Sequence, residues 1–174
     1  MKIIQPKKLT AEAFRPFGSV ILKPERALDI ESPFLRYWHD MIDLSNLGAM
    51  GTMGFMQMKR VPILCETLQV LHNSIELYLS LDGKPSIFFA APPRDGSPGL
   101  PDEERIEAFL IEGSAGLSVD KGIWHVAPFP LTETADFVLG LRNNVILRAG
   151  TGFTVDAREI TYAKLAQPVK IGGP

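Results

Sequence analysis

Ile75-Glu76-Leu77-Tyr78-Leu79-Ser80-Leu81, then Asp82-Gly83, then Ser86-Ile87-Phe88-Phe89-Ala90-Ala91 is the stretch whose reading decides the fold. Both flanking runs have the alternating or wholly apolar character of strands. Asp and Gly tolerate the positive φ of a tight turn, so Asp82-Gly83 predicts a turn between them. The same strand character recurs outward in both directions, at Ser19–Leu22, Gly54–Lys59, Thr67–Leu71, Gly116–Val119, Ile123–Ala127, Asp136–Leu141 and Asn144–Arg148. Two short helices are expected beside them. Thr10 caps one that runs through Phe14 and ends near Pro16 and Gly18. The other opens at Pro101-Asp102-Glu103-Glu104, carries Ile106, Phe109 and Leu110 at i, i+3, i+4 spacing, and stops at Gly113. Many short strands with few helices predict a mainly β sandwich or barrel.

The chain has 174 residues, a length that suits one domain; the expected division is a barrel over 1–160 and a C-terminal tail over 161–174. Apolar residues make up 45%, an ordinary globular composition. A net charge of −2 offers no basic face for nucleic acid. Met1-Lys2-Ile3-Ile4-Gln5-Pro6 lacks the apolar run of a signal peptide or membrane span. The lone Cys65 cannot form an internal disulfide, so a reducing, cytoplasmic setting is expected. Cys65 and the methionines Met50, Met53, Met56 and Met58 read as filling rather than chemistry. Pro92 to Pro101 reads as a surface loop.

Chemistry must come from few residues, because the only histidines are His39, His72 and His125. His72 and Glu76, four apart across a strand end, are expected on one face by the strand period of two. Gly122-Ile123-Trp124-His125 adds a third imidazole behind a glycine turn.

These spacings resemble the two motifs of the cupin superfamily, an RmlC-like antiparallel β-barrel. His72, Glu76 and Gly83 match the first motif, with Val70 where its first histidine stands; Gly122 and His125 match the second, with Asp120 in place of its proline. Such a set could hold a divalent metal (Ni, Zn, Mn or Fe) on His72, Glu76 and His125, with open positions for substrate. It could equally be a metal-free polar interior working by hydrogen bonds and proton transfer.

A longer resemblance, over roughly Leu9 to Arg142, is to the ureidoglycolate lyase family. It is carried by Leu9-Thr10-Ala11-Glu12-Ala13-Phe14-Arg15-Pro16-Phe17-Gly18, by Arg36-Tyr37-Trp38-His39-Asp40, and by Pro101-Asp102 through Ala108-Phe109. Lys121-Gly122-Ile123-Trp124-His125 and Asp136-Phe137-Val138 complete it. The departures are Val70-Leu71 for the family's Glu-Arg, Glu76 for its glutamine, Val126 for its second histidine, and Leu141 for the Asp of its late Asp-Arg pair.

The resemblance implies a carbon–nitrogen lyase of the amidine-lyase type, cleaving ureidoglycolate or a related glyoxylate adduct to glyoxylate and urea in purine (allantoin) degradation. His72, Glu76, His125 and Lys121 would be catalytic; His39, Asp40, Lys59, Trp124 and Arg142 would bind a small carboxylate substrate. A homodimer is expected, with no nucleic-acid or membrane partner. Alternatives on the same barrel are a metal-dependent isomerase, hydrolase or oxygenase for another small carboxylate, and a non-catalytic ligand-binding protein.

Overall fold

The computed structural model describes residues 1–27, 29–47, 51–142, 146–149, 152–155 and 159–172. In chain order the first elements are β1 (Lys2–Ile4), β2 (Lys7–Lys8), α1 (Ala11–Phe14), β3 (Gly18–Ile21), β4 (Ile30–Ser32), β5 (Leu35–Tyr37) and β6 (Gly51–Lys59). Then come β7 (Leu64–Leu71), β8 (Glu76–Ser80), β9 (Ser86–Ala91), β10 (Pro93–Arg94), β11 (Ser97–Pro101), β12 (Glu107–Ile111) and β13 (Gly116–Val119). The last are β14 (Trp124–Pro130), β15 (Thr134–Arg142), β16 (Ile146–Ala149), β17 (Gly152–Val155) and β18 (Ile160–Ile171). Two sheets carry the fold, in the orders β1-β18-β7-β14-β9-β12-β2 and β3-β13-β8-β15-β6. The chain crosses between them repeatedly, from β7 to β8 to β9 and from β12 to β13 to β14 to β15. This is a cupin-like antiparallel barrel, with parallel pairs, among the described residues, only where β1 joins β18 and β2 joins β12.

Alternation along the strands makes two cores. Tyr78, Phe88, Ala90, Phe109, Leu117, Val119 and Phe137 pack with Phe14 and Phe17 between the sheets. Their neighbours Leu68, Val70, Ile87, Phe89, Ala108 and Trp124 form a second cluster on the other face of the seven-stranded sheet. Helix α1 is capped as expected, with Thr10 Oγ1 accepting from the Ala13 N–H at 3.1 Å. Its Phe14 sets an edge-to-face pair with Phe109 at 5.2 Å, which plugs the inner core. Met56 and Met58 pack against that core as filling, whereas Met53, on the same edge strand, is exposed; Met50 lies outside the described residues.

Three further expectations need correction. The predicted second helix is a 3-10 turn at Glu103–Arg105 followed by strand β12. Both faces of β12 are buried, Ile106 and Ala108 facing one cluster and Phe109 and Ile111 the other. A doubly buried strand shows no period of two, and the helical spacing matched by coincidence. Residues 161–171 are no tail, because β18 is paired on both sides, with β7 and β1. Gly83 does take a positive φ of 67°, yet its turn joins strands of different sheets and so makes a corner rather than a hairpin. Of the predicted strand at Asn144–Arg148, Asn144 and Val145 lie outside the described residues, and β16 covers the remainder.

Candidate active site

His125 is the second residue of β14 and pairs with Gln69 on one side and Ala90 on the other. Cross-strand partners share a face, so Gln69, His125 and Ala90 all point between the sheets. Glu76 opens β8 in the opposite sheet, where its partner is Val119. The two side chains meet across the interior, with His125 Nε2 and Glu76 Oε2 2.6 Å apart and both residues buried.

The rest of the shell defines the protonation of this pair. The turn before β14, with Gly122 at φ 82° and its N–H on the Leu71 carbonyl at 2.7 Å, brings the Ile123 carbonyl to 2.9 Å from His125 Nδ1. A carbonyl only accepts, so Nδ1 carries a proton and the contact between Nε2 and Glu76 holds one more. Gln69 Nε2 donates to the same Glu76 oxygen at 3.1 Å, and the Tyr78 hydroxyl donates to Glu76 as well. Burial first, then the Glu76 charge and this hydrogen bond, hold the Tyr78 phenol well above its ordinary value, so it remains a donor. Phe88 stacks on the imidazole at 6.0 Å and Tyr78 meets it edge-on at 6.4 Å. Three donors, the imidazole among them, converge on one buried carboxylate.

His72 is not part of it. Its Nε2 lies 2.8 Å from Thr161 Oγ1, and the side chain is exposed. The expected same-face relation fails because residues 72–75 are a bend between two sheets, so β7 parity does not carry into β8. With His72 elsewhere, the three-residue metal set is not assembled. Glu76 and His125 are spent on each other and on Ile123, and no group of three His, Cys, Asp or Glu side chains suited to a metal occurs among the described residues. The residues present do not fit a metal held as the spacing suggested.

The other predicted positions divide by location. Trp124 alternates away from His125 and is wholly buried in the second cluster, so it packs and does not face the pair. Lys59 pairs with Thr134, whereas Leu77, beside Glu76, pairs with Gly140; the strand between those points is roughly 20 Å long. His39 and Asp40 pair with each other at 3.1 Å in an exposed segment tied to Arg26 and Asp29. Arg26 lines, with Met41, Leu22 and Ala115, a cleft of about 780 Å³ beyond the end of β13 away from the Glu76 partner Val119. Neither residue of that loop reaches the pair. Lys121 is exposed in the turn preceding Ile123, and Arg142 ends β15 just past the register of Glu76. Arg142 Nη1 is 4.0 Å from Glu159, and its buried Nε has no hydrogen-bond partner among the described residues. Both cations stand at the end of the barrel that holds the pair.

Three residues near the pair are not singled out in the sequence reading. Tyr78 is within its reach, since it lies two positions after Glu76 on the same face of one strand. Gln69 needs the β7–β14 register, and Tyr162 needs strand β18 itself.

The described strands form a two-sheet β-barrel that encloses the buried His125–Glu76 pair. Comparison with known families is consistent with this and narrower: the family model for ureidoglycolate lyase matches residues 1–150. The chain belongs to the ureidoglycolate lyase family, and thus to the lyases. It is 27% identical over 165 residues to a ureidoglycolate lyase of Burkholderia mallei, covering 92% of this chain and 91% of the relative. A ureidoglycolate lyase of Azotobacter vinelandii is 25% identical over 161 residues, covering 90% of this chain and 91% of that one. Among solved structures, dTDP-4-dehydrorhamnose 3,5-epimerase from Elizabethkingia anophelis aligns with a TM-score of 0.46 and 13% identity, over 83% of this chain and 79% of that one. No helix among the described residues is long and apolar enough to cross a membrane.

Proposed function

We propose that this chain cleaves the carbon–nitrogen bond of ureidoglycolate, releasing glyoxylate and urea, with the His125–Glu76 pair as its acid–base unit. The observation that carries the reading is the 2.6 Å contact between Nε2 and Oε2, with Nδ1 already committed to Ile123. His125 Nε2 passes the proton it shares with Glu76 to the urea nitrogen. The bond to nitrogen breaks, and the freed Nε2 takes the hydroxyl proton of the substrate as the carbonyl of glyoxylate forms. Protons and electrons balance, and the pair ends as it began.

Within the pair His125 is the indispensable member, because its Nε2 both gives and takes the transferred proton. Glu76 accepts from the ring and orients it, a positioning task that the family's usual glutamine can share. Gln69 and Tyr78 hold Glu76 in turn. Arg142 and Lys121 supply charge-assisted donors for the substrate carboxylate at the same end of the barrel. Assembly as a homodimer belongs to the same proposal. The purified protein incubated with ureidoglycolate should release glyoxylate and urea in equal amounts, and release of neither would overturn the reading.

A further inference from the structure

Strand β18 begins after the residues matched by the family model end. It nevertheless runs beside β7 in register, with Tyr162 opposite Gln69 and Thr161 opposite Val70. Gln69 is the residue that donates to Glu76 Oε2. Its cross-strand partner therefore presents a phenol on the face of the sheet that bears the His125–Glu76 pair, with Cβ atoms about 5 Å apart. Thr161, one step along, points the other way and holds His72.

Tyr162 also differs from the rest of the shell in exposure. His125 is 1% exposed, Glu76 5% and Tyr78 2%, but Tyr162 is 55% exposed. It stands where the buried network meets solvent. No hydrogen bond occupies its hydroxyl among the described residues. Burial and the nearby Glu76 charge raise the Tyr162 phenol above its ordinary value, so it stays protonated as the substrate arrives.

We propose that Tyr162 is a specificity-determining residue of this site, donating its phenolic hydrogen to the acceptor oxygen that a bound ureido acid turns toward the barrel mouth. The class of ligand is small and anionic, with a carboxylate or ureido carbonyl left outside the reach of the buried pair. The inference rests on the lyase reading for its turnover arm, and the binding arm keeps the two separable.

The test compares wild type, Tyr162→Phe and Thr161→Val, each checked for an unchanged melting temperature. Two quantities are measured: the KM for ureidoglycolate, and the Kd for oxalurate, which lacks the hydroxyl proton to be removed. Loss of a hydrogen bond to a charged acceptor should raise both KM and Kd roughly tenfold or more in Tyr162→Phe, with kcat changed far less and Thr161→Val like wild type. Wild-type KM and Kd in Tyr162→Phe would overturn the assignment of Tyr162 while leaving the lyase reading intact. If wild type binds oxalurate without cleaving ureidoglycolate, the lyase reading falls and the Kd ratio alone judges Tyr162. Failure of wild type to do either would overturn both.

Discussion

One proton lies between His125 Nε2 and Glu76 Oε2, and every near neighbour helps to keep it there. Glutamine at position 76 would still offer an acceptor to the ring. Glu76→Gln should therefore keep the imidazole seated and lower kcat by no more than about tenfold, well short of the ~100- to 10,000-fold effect of losing a general acid–base group. A loss of the larger size, by steady-state assay, would make the carboxylate itself the proton acceptor. Cys65 presents the opposite case, a titratable group with no task. Burial pushes its thiol up to about 12, so almost no thiolate exists at neutral pH. The folded protein should resist thiol reagents at pH 8 and react only once denatured; rapid labelling of the native protein would contradict this.

Elements, rather than single residues, decide what reaches the pair. The bend at 72–75 hands the chain from one sheet to the other, and this turns His72 out toward Thr161. His72→Ala should leave kcat/KM within about twofold of wild type, since an exposed substitution away from the site has little to disturb. A collapse in activity would return His72 to the site. The same handover explains what is legible in the sequence. Glu76 and His125 can be found because each sits at a motif position whose spacing is local to one strand or turn. Trp124 can be placed only by alternation from His125, and it packs. Gln69 and Tyr162 stay hidden because cross-strand register is a property of two distant segments, and no local pattern records it. The strand content is legible for most of the barrel, but is missed at Glu107–Ile111, where both faces are buried and the apolar spacing fits a helix, and at Ile160–Ile171, expected as part of a tail.

At the scale of the molecule, β18 lies one strand in from the edge of the larger sheet, with β1 on one side and β7 on the other. Ending the chain after Glu159 would strip β7 of a partner along its length and expose Val70, Cys65 and Leu68. That truncation should lose the cooperative melting transition, and a truncated protein with native stability would contradict the topology. The proposed function makes this barrel a lyase whose proton is handled by His125. Its most direct test is release of glyoxylate and urea from ureidoglycolate by wild type and by His125→Ala, with folding verified by circular dichroism. Equimolar products from wild type and a loss of at least ~100-fold in the variant are predicted; wild-type rates in a folded His125→Ala protein would contradict the account.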